Sequence, residues 1–568
     1  MARSPLMLLV LLACAPARQQ QVESEIRILE ARIAERRDEL NRLQAAVDRA
    51  SRPWQLTPPQ HVPRGFDPDR PLPAGGDRPD ILLLSIDTLR ADHLGSYGYT
   101  RTTSPFIDSL AAEGTRYEDF WSPAPWTLPS HTTMLSGWLP DRHGAIEDEV
   151  RIGPGVPMLQ ETLKSVGYNT AGVVATLFVS RRFGFDRGFD HFEDFGITNP
   201  KANNSGVVDA EEVFATALHW AQEQPAGTPL FAFLHVYDVH YTYNAPEPFN
   251  TRFDREARLG DAVYKNYKHY RAHPIDDAQL EHQIAQYDEE IAYVDAQLAD
   301  LVTRWRKSGR ELVVAVTADH GEEFGERGSW GHAHTLYPEQ LHVPFVIAGP
   351  GVKSQVISER AGTEDIAATL AALAGARHPA GNGADRSGQL ASGRAVRPGA
   401  PYAETSRFDT LQLRVHDGGL DLIADLRADR YELCDLRSDP GCEHDLSATD
   451  PAALARMKAL LDARIGAPWV AGADGHAETA RGGVFWSHGN QGASLDLVEG
   501  ARFALLPPDA GVTFMGPRGS EGPFAALGGT APPEGGPLRY SGPTWGSVEV
   551  DLSAEEQQML RDLGYIQD

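Results

Sequence analysis

The chain has 568 residues, 41% of them hydrophobic, so it can bury one large core and still carry appendages. Its net charge is −27, from 79 acidic against 52 basic residues. That excludes nucleic acid as the main partner, because phosphate binding needs dense Lys and Arg. Three cysteines, Cys14, Cys434 and Cys442, are too few and too scattered for a metal finger.

The first predicted element is a leader. "MARSPLMLLVLLAC" sets an apolar run from Leu6 to Ala13 ahead of Cys14. The run is too short to span a bilayer, which takes about 20 residues, but it suits a secretory signal. "LLAC" resembles a bacterial lipoprotein box. Residues 1–13 are therefore expected to be removed as a signal peptide, leaving a lipidated Cys14. Its acyl chains would anchor an exported protein in the bacterial cell envelope, at the outer membrane or the periplasmic face. An ordinary signal peptide cut near Ala15 to Ala17 is the other reading. In an oxidising compartment Cys434 and Cys442 can form a disulfide.

Residues 14–50 follow as a helix. Val22, Ile26, Leu29, Ile33, Arg36, Leu40, Leu43 and Val47 fall at alternating spacings of four and three. This heptad seam, broken once by Arg36, predicts a coiled coil that makes a homo-oligomer through residues 22–47. A solvated spacer helix is the plainer alternative. Residues 51–79 are rich in Pro and Gly and read as an extended, semi-stiff linker.

An α/β pattern begins at Asp80. "DILLLSID" (80–87) is continuously apolar, as a buried parallel strand should be. "YNTAGVVAT", "PLFAFLHVY", "ELVVAVTAD" and "HVPFVIAGP" are further strand candidates. "SPFIDSLAAEG" and the long run from Asp276 to Gly309 read as helices, the latter with Ile284, Ile291, Val294, Leu298, Leu301 and Val302 at helical spacing. Alternating strands and helices predict a doubly wound, mainly parallel sheet over residues 80–400, with ligands bound beyond the carboxyl ends of the strands. From Pro401 to 469 the pattern changes to a small antiparallel subdomain, and "ATDPAALARMKALLDARIG" adds a helix. Residues 470–568 form a Gly/Pro-rich extension, with a β module expected over 470–550 and an amphipathic helix at the end.

Four clusters could carry chemistry: "SIDTLRADHLG" (85–95), "WTLPSHTTMLSG" (126–137), "FLHVYDVH" (233–240) and "TADHGEEFGERGSWGHAH" (317–334). Each places Asp, His or a hydroxyl at or just beyond a strand candidate. Taken singly, each has a structural reading. Asp87 would be a helix cap, Thr127 part of a turn, and His240 a loop histidine. Asp319-His320 before Gly321 is the sharpest, since the turn can bring both side chains to one ion.

Taken in order, Asp87, Thr127-Leu-Pro-Ser-His131, Asp238-x-His240, Asp319-His320-Gly-Glu, Gly-His332 and "VPFVIAGPG" resemble the sulfatases of the alkaline phosphatase superfamily. "TSPFIDSLAAEGTRYEDFWSPAP", "LSGWLPDRHG", "GFDRGFDHF" and "YELCDLRSDPGCEHDLS" extend the likeness over residues 80–465. By that resemblance Asp87, Asp319 and His320 are metal ligands. Thr127 stands where sulfatases carry a Cys or Ser nucleophile, and His131 where they carry an Arg. His240 and His332 match positions that contact the ester oxygens and the leaving group. The match implies a hydrolase acting on a small-molecule, lipid or glycan ester.

Four positions depart from the sulfatase pattern. Thr127 replaces the Cys or Ser that is oxidised to formylglycine, Thr88 replaces a second carboxylate, and "AGVVATLFVS" replaces a segment with Lys and His. Asp319-His320 replaces Asp-Asn. Calcium takes about 6–8 oxygen ligands. Asp87, Thr127, Asp319 and His320 offer four ligands with one nitrogen, which suits Zn²⁺ or Mn²⁺ better. A phosphorylated Thr is readily hydrolysed, whereas a sulfated Thr lacks the elimination route open to formylglycine hydrate. These features rank a phosphate mono- or diester ahead of a sulfate ester. A phospho-group transferase and a catalytically inactive surface binding lipoprotein are the remaining readings.

Overall fold

The computed structural model describes residues 65–461 except 149, 196–207, 242, 255–274, 397–401, 408–409, 411, 426–427 and 429, together with Pro63, Gln557 and the backbone of several elements up to Glu549. The leader, the heptad segment, residues 51–62 and 64 of the linker and the expected terminal helix apart from Gln557 lie outside the described residues.

The centre is an eight-stranded sheet. In chain order its strands are β1 (Asp80–Ile86), β2 (Thr115–Tyr117), β3 (Asn169–Val174), β4 (His191–Glu193), β5 (Leu230–Val236), β6 (Leu312–Thr317), β7 (Phe345–Ala348) and β8 (Gln355–Ile357). Across the sheet the order is β8-β2-β7-β6-β1-β5-β3-β4. The run β6-β1-β5-β3-β4 is parallel, while β7 runs antiparallel to both β6 and β2. Every residue of β1, β5 and β6 is buried, which explains why their sequences are continuously apolar rather than alternating.

Two sets of helices cover the sheet. Helices α1 (Pro105–Glu113), α3 (Ala210–Gln222) and α4 (Asp277–Lys307) pack together; α2 (Thr127–Ser136) packs with α5 (Asp365–Leu373). α4 starts with a capping box between Asp276 and Gln279 and ends in Arg304, Arg306 and Lys307, which suit its dipole. Its Ile291, Val294, Leu298, Leu301 and Val302 are buried, as their spacing predicted.

The C-terminal subdomain is an antiparallel sheet of β9 (Tyr402–Thr405), β10 (Gln412–Asp417), β11 (Leu420–Asp425) and β12 (Arg430–Asp435), with the helix Pro451–Ile465 packed on it. Leu413, Val415, Leu422, Leu433, Met457 and Leu461 form its own small core. Cys434 and Cys442 are joined as a disulfide. In the extension, five short strands between Val484 and Tyr540 form an antiparallel sheet, and Ser547–Glu549 pairs with Val150–Ile152 of the main unit. No helix among the described residues is long and apolar enough to cross a membrane.

Candidate metal centre and nucleophile

The three adjacent parallel strands β6, β1 and β5 end side by side, and the candidate site sits on their carboxyl ends. β1 runs into Asp87, β6 into Asp319 and His320, and β5 carries His235 one residue before its end. Register places Ser85 opposite His235.

Asp87, Asp319 and His320 are fully buried, and one ligand atom from each lies within 4.8 Å of the others. The hydrogen bonds decide which atoms converge. His235 Nε2 lies 3.1 Å from Asp87 Oδ2, and the Thr88 and His320 amides donate to Asp319 Oδ1 at 3.3 and 2.9 Å. Asp87 Oδ1 and Asp319 Oδ2 are left with no hydrogen-bond partner among the described residues. His320 donates from Nδ1 to the Gly321 carbonyl (2.9 Å), so Nε2 keeps its lone pair. That Nε2 lies 3.6 Å from Asp87 Oδ1 and 3.3 Å from Asp319 Oδ2. Two unpartnered buried carboxylate oxygens around an imidazole lone pair are costly without a cation and fit one well.

The electrostatics agree. Burial pushes the Asp87 carboxyl up to about 7, with His320 pulling it partly back. Burial and the charge of Asp87 together raise Asp319. A divalent cation reverses this balance and favours both ionised forms.

Thr127 closes the set. Trp126, in extended conformation, is the N-cap of α2, and Thr127 opens the helix with its hydroxyl 3.5 Å from His320 Nε2. The other hydroxyls of α2 are turned to protein groups. Ser130 donates to the Ala124 carbonyl (2.8 Å), Thr132 to Leu128 (2.7 Å), Ser136 to Thr132, and Thr133 meets His143 at 3.2 Å. Gly137, at φ 68°, ends the helix. A wholly buried, hydroxyl-rich helix thus aims a single hydroxyl, that of Thr127, at the Asp87, Asp319 and His320 group.

The histidines divide. His131 is fully buried, donates from Nδ1 to the Thr127 carbonyl (2.8 Å) and accepts from Ser85 at Nε2 (2.9 Å). The sequence reading sets it toward the substrate anion; in the structure Nδ1 braces the first turn of α2, because i and i+4 of a helix share a face, and lies 3.5 Å from Asp319 Oδ2, while Nε2 meets Ser85 of β1. Burial pushes its pKa down to about 3. His240 donates to the Tyr241 carbonyl (2.7 Å), lies 3.0 Å from the Tyr237 hydroxyl, and is likewise lowered to about 3 by burial. His332 packs its ring 4.5 Å from His320 and 4.9 Å from His240, with Nδ1 held by Glu322 at 3.2 Å. Asp238 Oδ1 accepts from the Ala210 amide (3.1 Å), at the start of α3 and away from the cluster.

Two supporting residues were not assigned such roles from sequence. His235, within the 233–240 cluster, orients Asp87; a polar residue inside an apolar strand is its signal. Glu322, three residues after Asp319, orients His332. Two non-glycine residues sit at positive φ beside the site, Thr88 (57°) and Ala333 (76°). Thr88 is pinned by its hydroxyl on the Val239 carbonyl (2.8 Å) and by Tyr287 donating to its carbonyl (2.8 Å). Its hydroxyl is thus spent on the Val239 carbonyl, while its amide donates to Asp319. Strain held in place by neighbours is characteristic of functional sites.

A sulfatase family profile matches residues 79–376. The Δ4,5-hexuronate-2-O-sulfatase of Bacteroides thetaiotaomicron is 24% identical over 447 residues, covering 68% of this chain and 88% of that one. Bovine arylsulfatase A is 29% identical over 342 residues, 54% of this chain and 66% of its own. Among solved structures, the phosphonate monoester hydrolase of Agrobacterium radiobacter superposes with a TM-score of 0.57 at 19% identity, over 68% of this chain and 95% of that one. The likeness confirms the mainly parallel α/β architecture.

Proposed function

The chain belongs to the sulfatase family of ester hydrolases, and we propose that it hydrolyses a phosphate ester, mono- or di-, through Thr127 as nucleophile. The observation that carries this reading is the convergence of Thr127 Oγ1, His320 Nε2 and the two unpartnered carboxylate oxygens of Asp87 and Asp319. Asp87, Asp319 and His320, with Thr127 as a fourth ligand, would hold a divalent cation, Zn²⁺ or Mn²⁺ by donor set. Such an ion supplies positive charge to the ester oxygens and acidifies a nearby hydroxyl.

The chain's own residues then have definite tasks. α2, braced by His131 on the Thr127 carbonyl, holds Oγ1 in place for in-line attack on phosphorus. The Thr127 O–P bond forms as the bond to the leaving oxygen breaks, and that oxygen leaves as an alcohol once it gains a proton. His332, oriented by Glu322, is the group at hand to carry protons at Nε2. Water then cleaves the Thr127 ester and restores the hydroxyl. Cleavage of a sulfate ester on a glycan is the second reading, favoured by the relative named as a hexuronate sulfatase. Export and anchoring through Cys14 belong to the proposal as well, supported by the leader sequence and by the Cys434–Cys442 disulfide, which suits an oxidising compartment. So does self-association through residues 22–47.

The test is a screen of the purified full chain, loaded metal by metal, on an aryl phosphate, an aryl phosphodiester and an aryl sulfate. Turnover of a phosphate ester that Thr127→Ala abolishes supports the proposal. Turnover of the sulfate alone moves the assignment to the second reading, and undiminished turnover by Thr127→Ala removes the nucleophile.

A further inference from the structure

The charge that meets the substrate need not come from the catalytic strands. The segment Ala171–Ser180, which carries β3 and the turn beyond it to this side of the sheet, contains no Lys, Arg or His. Yet a guanidinium lies over it. Arg407 Cζ is 5.9 Å from the Phe178 ring centre and 4.1 Å from that of Trp126, the residue before Thr127. Trp126 and Phe178 meet edge to face at 5.4 Å, so the two rings form one platform.

Arg407 belongs to the C-terminal subdomain, two residues past β9. That strand is stitched to both halves of the site. The Glu404 amide donates to the Pro123 carbonyl (3.0 Å), and the Thr405 hydroxyl to the carbonyl of Ala333, next to His332 (2.7 Å). The residue is 7% exposed; its Nη2 donates to Asp148 Oδ2 (2.9 Å) and its Nη1 pairs with Asp148 Oδ1 at 2.8 Å. Burial raises the Tyr241 phenol and the Arg407 charge opposes that rise, and Tyr241 stacks on His240 at 4.4 Å. A planar cation fixed by a carboxylate and an aromatic face is suited to recognise an oxyanion.

On the hydrolase reading above, we propose that Arg407 is a specificity-determining residue through which the C-terminal subdomain selects an ester with two negative charges at its reacting end, a phosphate monoester, over a singly charged one. Asp148 tunes it by holding part of that charge.

The experiment uses the metal-loaded full chain as wild type, Arg407→Met, Arg407→Lys and Asp148→Asn. At pH 8 an aryl phosphate monoester is a dianion, its second pKa being about 6, and a methyl aryl phosphate is a monoanion. Equilibrium binding of inorganic phosphate and of dimethyl phosphate gives the same comparison without turnover. Arg407→Met is expected to lower the dianion-to-monoanion ratio, in kcat/KM and in binding, by about tenfold. Arg407→Lys should keep most of the ratio, and Asp148→Asn should raise it. An equal loss for both charges, or an unchanged ratio, would mean that Arg407 only braces Trp126, and would overturn the proposal. Should wild type bind phosphate yet turn over neither ester, the hydrolase reading fails while the binding ratio still decides the role of Arg407.

Discussion

Strand β1 begins on one buried aspartate and runs into another, and the two ends differ. At the amino end, Asp80 accepts from the Leu230 amide (2.9 Å), Trp305 Nε1 (2.7 Å) and the Arg310 guanidinium on both oxygens. At the carboxyl end, Asp87 has His235 on one oxygen and no hydrogen bond on the other among the described residues, where His320 Nε2 lies 3.6 Å away. The residue type, strand and burial are the same. One carboxylate is closed by the protein and holds the base of the sheet together; the other keeps an oxygen without a hydrogen bond, which suits the proposed cation. Structure at one end and function at the other are told apart by counting donors.

That comparison can be broken by experiment. The largest effect is expected on activity. Asp87→Asn should cut kcat/KM by about 10³-fold or more, on the scale of removing a metal-activated step, without lowering the stability of the metal-free fold. Steady-state kinetics with parallel denaturant melts read both halves.

Asp80→Asn should do the reverse. It removes the one carboxylate charge paired with buried Arg310 among the described residues, which costs about 3–5 kcal/mol of stability, measurable as a fall in the denaturation midpoint at unchanged slope. Activity per folded molecule should persist. An equal effect of the two Asn variants on stability would remove the distinction.

His235→Gln is expected to weaken metal affinity about 10–100-fold through loss of the hydrogen bond that orients Asp87. Competition against a chelator of known affinity measures it.

The smallest effect is a pH slope. With no metal, burial holds the folded Asp87 carboxyl up to about 7 against an ordinary 3.8. The folded state therefore binds its proton more tightly than the unfolded chain. That contribution is complete below pH about 4 and is lost as the pH rises through about 7. Metal-free protein should thus be more stable at pH 5 than at pH 8 by a margin that Asp87→Asn reduces.

Much of this was legible in the sequence. Asp87 and Asp319 announce themselves as acids closing apolar runs, and the order of the four clusters pointed to the fold and to the residues that meet at the sheet's carboxyl end. What was not legible depends on partners distant in the chain. "DILLLSID" has an Asp at each end, and only Arg310 and Trp305, more than 200 positions away, distinguish them. His131 matched a substrate-facing position by motif, yet helix periodicity and Ser85 below it turn its ring inward. Arg407 lies in a subdomain where no motif marks it, and only the packing of β9 against Pro123 and Ala333 brings it over Trp126, the neighbour of Thr127.

The central claim is that Thr127 attacks the ester. Acid quench of the metal-loaded enzyme during turnover, followed by peptide mass spectrometry, tests it most directly. The account predicts one phosphoryl group on the peptide containing Thr127, absent in Thr127→Ala. A label on another residue, or full turnover by Thr127→Ala, would contradict it.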